Sequence, residues 1–175
     1  MKGKYSSLNL LFSREDVSEL RGPGKSLIYA LDRANSRIPT LITFCDYIIE
    51  EQFSVDYDAI GVCKPVEGYV YGTYKTLAVV EEGVALGLIE NKDLNSRKEN
   101  GFTGIMICHN TMLLKSIVYS AAVSNPKSED IDYAFDVVRP YIKRARTTVL
   151  PLTKMYEFGT EDTLSKTRRY IIGNH

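Results

Sequence analysis

The chain has 175 residues, 44% of them hydrophobic and 25% charged, with 22 basic and 22 acidic side chains. These proportions exclude a disordered polymer and fit one globular domain, or one domain with an appendage, large enough to bury a core. No run approaches the roughly 18 apolar residues of a membrane helix, and the apolar stretch at residues 8–12 is too short for a secretory signal, so the sequence predicts a cytoplasmic protein.

Residues 1–24 read as an N-terminal arm that ends in the helix-breaking RGPG. Gly24-Lys25-Ser26 resembles the end of a phosphate-binding loop, but Glu19 stands where that motif requires glycine, so a loop leading into a helix is the reading. Residues 26–37 have helical spacing, with Leu27, Ile28, Leu31 and Ala34 on one side. Pro39 interrupts, and 40–53 reads as a second helix that buries Leu41, Phe44, Cys45, Ile48, Ile49 and Phe53 and turns Asp46, Glu50 and Glu51 outward. A short helix over 56–64 is expected next, with Asp56 as its N-cap.

The stretch 71–108 is the most patterned. Leu77, Val80, Val84 and Leu88 recur at spacings of three, four and four, and Gly87 can close a helix. Two extended segments, 88–90 and 102–108, flank a polar loop. Thr73-Tyr74-Lys75, Leu77, Val80, Gly83, Leu86 and Gly87-Leu88-Ile89 resemble the winged helix-turn-helix superfamily, a recognition helix followed by a β-hairpin wing. The resemblance implies an α+β, mostly helical fold: a winged helix-turn-helix core with N- and C-terminal helical extensions. It places an arm at 1–24, the winged domain at 25–110, a dimerisation extension at 111–150 and a tail at 151–175. It also implies duplex-DNA binding, with Thr73, Tyr74, Lys75 and Thr76 opening the recognition helix and Lys92, Arg97 and Lys98 on the wing.

Beyond the wing, 111–123 reads as a helix, and Ser128-Glu129-Asp130 as the start of another over 131–149. Ile131, Phe135, Val138, Ile142, Ala145 and Val149 alternate by four and three, the seam of a helical homodimer contact. Pro140 should kink this helix.

Charge is unevenly spread. Residues 42–67 hold six acids against one base, and 139–175 hold eight bases against three acids. Between Gly61 and Asn100 acids also exceed bases, six to five, which is unfavourable for a DNA reader. Three cysteines without a CxxC pair point to reduced thiols, and adjacent Cys108 and His109 face opposite ways in an extended segment, so no metal, cofactor or catalytic constellation is expected. The sequence thus predicts a non-enzymatic, DNA-binding transcriptional regulator acting as a homodimer, with no small-molecule ligand. A plasmid or phage replication or partition protein, and a winged-helix adaptor that binds no nucleic acid, are the alternatives; KSLIYALDRANSR at 25–37 faintly resembles a helix of Gram-positive plasmid replication initiators.

Overall fold

The computed structural model describes residues 23–44, 46–50, 52, 54, 56–63, 76–92, 100–124, 130–153 and 155–173. In chain order the elements are α1 (Pro23–Arg33), β1 (Thr40–Ile42), β2 (Tyr47–Ile49), β3 (Ala59–Cys63), β4 (Thr76–Glu81), β5 (Val84–Glu90), β6 (Gly101–Cys108), α2 (Thr111–Ser124), a π turn (Tyr133–Val138), α3 (Arg139–Ile142), β7 (Thr147–Leu152), β8 (Met155–Glu157) and α4 (Glu161–Gly173).

Six strands form one mixed sheet in the order β1-β6-β3-β7-β5-β4, and β2 pairs with β8 in a separate two-stranded sheet. All described residues of β3 and β6 are buried, so these strands read as continuous apolar runs rather than alternating ones. β3 and β7 are parallel neighbours, and the remaining ladders are antiparallel. One sheet face is covered by α1, α2, the π turn and α3, through a core that includes Leu31, Met106, Leu114, Val118, Val137 and Tyr141. The other face buries Ala59, Ile105, Ile107, Leu150, Leu152 and Met155 against Tyr47 and Ile49 of β2. The result is helices, large sheet and small sheet in layers.

A polar knot ties four elements together. The buried Tyr141 hydroxyl donates to Asp58 (3.0 Å) and accepts from the Cys108 thiol (3.2 Å) and the Asn110 amide (3.3 Å). The Asp58 carboxylate also accepts from the His109 amide at 2.5 Å, and its carbonyl accepts from the Thr148 amide at 2.9 Å. Burial pushes the Cys108 thiol up to about 11, so it stays a neutral donor. Asn110 caps α2 by accepting from the Leu113 amide at 2.9 Å.

The structure corrects the winged-helix expectation element by element. The predicted helix over 40–53 is the two strands β1 and β2, and the predicted short helix over 56–64 contains β3. The predicted recognition helix is the β4–β5 hairpin. Its apex is Glu82-Gly83, with φ of 47° and 77°, the two positive values a two-residue type I′ turn requires. Thr76, Val79, Val80 and Val84 are β-branched and favour the pleated conformation. The segments predicted to form a wing are both extended but do not form a hairpin: β5 pairs with β4 and β7, whereas β6 pairs with β1 and β3 and touches β4 at Leu77 opposite Gly101.

The predicted helix over 131–149 divides into the π turn, α3 and β7. Asp132 caps its start by accepting from the Phe135 amide at 2.8 Å, and Ser128 and Glu129 lie outside the described residues. Ile131, Val138 and Ile142 are buried in the chain's own core, and Phe135, Ala145 and Val149 pack against that core, so the stripe read as a dimer seam is internal. β7 (Thr147–Leu152) lies in the same sheet as β3 and β6.

The hairpin and helix readings of 76–90 respond oppositely to Glu82→Asn. Asn tolerates the left-handed conformation and Asn-Gly suits a type I′ turn, so the variant should gain about 0.5–1 kcal/mol in urea unfolding. In a helix interior the same change would lose stability, and such a loss would contradict the hairpin.

Candidate functional site

A cleft opens between the β1–β2 connection, the start of the π turn and the middle of β6, with a volume of about 520 Å³. Its wall depends on a glycine. Gly104 has φ of +84°, and a β-carbon there would lie 2.3 Å from the Phe44 ring. The bare backbone of β6 therefore serves as the seat for Phe44. The Phe44 ring meets Tyr133 edge-on (centroids 5.5 Å apart, 87° between planes), and Tyr133 stacks on Phe102 at 6.2 Å. Tyr47 locks the Phe44 backbone by accepting from its amide at 3.2 Å.

Two residues beyond Phe44 stands Asp46, whose carbonyl accepts from the Phe158 amide at 2.9 Å and so ties this turn to the end of β8. One carboxylate oxygen of Asp46 is buried without a hydrogen-bond partner. Next to its other oxygen lies Gly159, where a β-carbon would come within 2.8 Å. The lining also includes Asp130, Asp132 and Asp136. Asp132 is the cap already described, and Asp136 accepts from the Asp132 amide at 3.0 Å. Tyr133 is only 5% exposed, its hydroxyl has no hydrogen-bond partner, and burial raises its pKa well above the ordinary tyrosine range. The residue opens a π turn, a rare element that recurs at functional sites. A smaller cavity of about 300 Å³, lined by Leu27, Ala30 and Ile42, shares Pro23, Phe44 and Tyr133 with the cleft.

The lining of the main cleft is chemically one-sided. Among the described residues it has four aspartates and no lysine, arginine or histidine. No three His, Cys, Asp or Glu side chains among the described residues converge as a metal cage.

Of the residues predicted to contact DNA, Thr76 opens β4 and lines this cleft, while Lys92 is exposed beyond β5. Thr73, Tyr74, Lys75, Arg97 and Lys98 lie outside the described residues. Of the residues predicted at a dimer seam, Ile131 lines the cleft and the others belong to the core or pack on it. Sequence reasoning missed Phe44, Asp46, Gly104, Asp132, Tyr133 and Asp136 as a group. The surplus of acids over 42–67 was a signal for Asp46, but only for its charge.

No family model matches the sequence, and no curated protein matches it. Solved structures do. The fold is similar to that of apo UDP-glucose pyrophosphorylase, with a TM-score of 0.60 and 17% identity over 89% of this chain and 62% of that one. It is similar to CTP:phosphocholine cytidylyltransferase from Streptococcus pneumoniae, with a TM-score of 0.66 and 14% identity over 85% of this chain and 63% of that one. UTP-bound UGPase from Acinetobacter baumannii aligns with a TM-score of 0.57 and 10% identity over 85% of this chain and 56% of that one. At these identities the likeness shows the fold, and the chain spans less than two thirds of each of these structures.

That likeness overturns the winged-helix assignment. It also removes the basis for a homodimeric, non-enzymatic DNA-binding regulator without a small-molecule ligand, because the structures that share this fold are enzymes named for nucleotides and nucleotide sugars. Among the described residues no helix is long and apolar enough to cross a membrane.

The seat of Phe44 is testable through stability. Gly104→Ala introduces both a strained φ and a clash with the ring, and should cost about 1–3 kcal/mol in urea unfolding. In a Phe44→Leu background the same change should cost measurably less, since the two sites are in contact. Equal costs in both backgrounds would show that the ring does not rest on β6.

Proposed function

We propose that this chain takes part in nucleotidyl transfer, using the cleft around Asp46. In that reaction a phosphate oxygen of a phosphorylated small molecule attacks the α-phosphorus of a nucleoside triphosphate. The new P–O bond forms as the bond to pyrophosphate breaks, and pyrophosphate leaves. The observation that carries the reading is the buried, unpartnered carboxylate oxygen of Asp46, a residue that lines the cleft of a nucleotidyltransferase-like fold.

A reaction between two phosphate-bearing partners calls for a divalent cation, and Asp46 fits one. Magnesium is commonly held by one or two carboxylates together with substrate phosphates rather than by an all-protein cage. The unpartnered carboxylate oxygen of Asp46 matches a donor of that kind. When bound, magnesium neutralises charge on the phosphate oxygens. Gly159 leaves room beside the carboxylate, and the Phe158 amide fixes the backbone of Asp46 through its carbonyl. Phe44, Phe102 and Tyr133 form an apolar wall that limits water on one side of the site.

Pyrophosphate release in the presence of magnesium, measured across the four ribonucleoside triphosphates and a set of phosphorylated acceptors, tests the proposal. At least one pair should react, and Asp46→Asn should lower the rate on the order of a hundredfold while leaving the melting temperature near that of the parent. A parent protein that neither releases pyrophosphate nor binds any nucleoside triphosphate with magnesium would contradict it. So would an Asp46→Asn variant that is as active as the parent.

A further inference from the structure

We infer that Thr103 is a positioning residue: its buried hydroxyl staples a bulge in β6, and that bulge sets where Phe44 and, through it, Asp46 stand. As a statement about metal and nucleotide binding, this rests on the nucleotidyl-transfer reading. As a statement about the placement of Asp46, it rests on the fold alone.

The first observation is a break in the ladder between β3 and β6. Ile60 pairs with Met106 and Val62 with Phe102, so Gly61 alone faces Thr103, Gly104 and Ile105. The surplus on β6 is a bulge. Bulges bend a strand, re-aim what it carries and concentrate beside functional sites. This one coincides with the part of β6 that lines the cleft, which includes Thr103 and Gly104.

The second observation is how the break is closed. Thr103 Oγ1 donates to the Gly61 carbonyl at 3.0 Å and accepts from the Ile105 amide at 3.4 Å. One side chain thus bonds across the interruption and along its own strand. Thr103 and Ile105 are both buried, so removing the hydroxyl would leave a carbonyl and an amide costly to satisfy otherwise. A threonine is stiff at its first side-chain torsion, which holds the hydroxyl in one place. Its proton is committed to Gly61, so it supports the site and does not donate to a ligand.

The third observation is the pair of bare positions on either side of this hydroxyl. At Gly61 a β-carbon would lie 2.4 Å from Thr103 Oγ1 and 2.9 Å from Ile105 Cβ. At Gly104 it would lie 2.3 Å from the Phe44 ring. Gly61 lets the bulge press against β3, and Gly104 lets Phe44 press against the bulge. Placement then passes along the chain, since the Phe44 amide donates to the Tyr47 hydroxyl at 3.2 Å and Asp46 follows two residues on. The Phe158 amide tethers the Asp46 carbonyl from the β8 side at 2.9 Å. With that tether intact, loss of the staple should loosen the carboxylate's position without unfolding the turn.

The competing reading is that Thr103 stabilises the sheet and does nothing for the cleft. Thr147 supplies the comparison. It is fully buried, donates to the Ala145 carbonyl at 3.0 Å and is not part of the cleft lining.

The test is amide hydrogen exchange by NMR on the full chain, comparing the parent with Thr103→Val, Thr103→Ser and Thr147→Val. Thr103→Val keeps the shape and removes both hydrogen bonds. Exchange at the Phe44 and Phe158 amides should quicken about tenfold in Thr103→Val and return towards the parent rate in Thr103→Ser. In Thr147→Val it should change by no more than about twofold. Magnesium titrated in the presence of a nucleoside triphosphate should bind about tenfold more weakly to Thr103→Val, with recovery in Thr103→Ser. Unchanged exchange in Thr103→Val, equal quickening in Thr147→Val, or no recovery in Thr103→Ser would overturn the inference. Should Thr103→Val not fold, the parent alone decides. Its Ile105, Phe44 and Phe158 amides should share one opening free energy across a urea series, and separate values would overturn the staple. A parent that binds no nucleotide with magnesium defeats nucleotidyl transfer alone, because the exchange rates still decide the role of Thr103. A parent that binds nucleotide, with unchanged exchange in Thr103→Val, defeats this inference alone.

Discussion

The contact between the Phe44 ring and the bare backbone of Gly104 is the constraint on which the cleft depends. β6 is buried along its whole length, so anything laid on its middle must fit within van der Waals distance of the strand itself. Only a residue without a β-carbon permits an aromatic ring there, and the φ of +84° at Gly104 is also a conformation that other residues resist. Once Phe44 is seated, Tyr133 packs edge-on against it and Phe102 stacks behind. Asp46, two residues on, is carried to the cleft, where Gly159 makes space for it. Two glycines far apart in sequence thus shape one site by what they lack.

The site's electrostatics impose a second condition. Carboxylates and substrate phosphates repel one another, and the repulsion grows in a partly desolvated cleft. Chemistry on phosphates here therefore requires cations. A divalent ion at Asp46, as proposed above, would supply one. The same reasoning explains why the surplus of acids argued against DNA when the sequence was taken alone. A duplex presents only phosphates to such a surface.

Much of the burial was legible in the sequence, and most of the backbone was not. α1 and α2 lie close to where the recurrence of apolar positions put them. Leu77, Val80, Val84 and Leu88 have helical spacing but fall on the two strands of a hairpin folded at Glu82-Gly83, where they pair with Ile89, Ala85, Glu81 and Ala78 rather than with one another. The acidic Glu-Gly turn lacks the Asn or Asp that usually signals type I′. Ile131, Val138 and Ile142 are buried as their pattern suggested, but their partners are β-strands and neighbouring helices of the same chain. Short strands such as β1 and β2, three residues each, are too brief to show alternation. The cleft itself was invisible for a different reason. Phe44, Gly104 and Tyr133 carry no motif, and only long-range pairing brings them together.

The most direct measurement is amide chemical-shift mapping by NMR as a nucleoside triphosphate with magnesium is added. The account predicts that perturbations concentrate at Phe44, Asp46, Gly104, Tyr133 and Gly159 and disappear in Asp46→Asn. Shifts confined to the exposed faces of α2 and α4, or a spectrum that does not respond to any nucleotide, would contradict it.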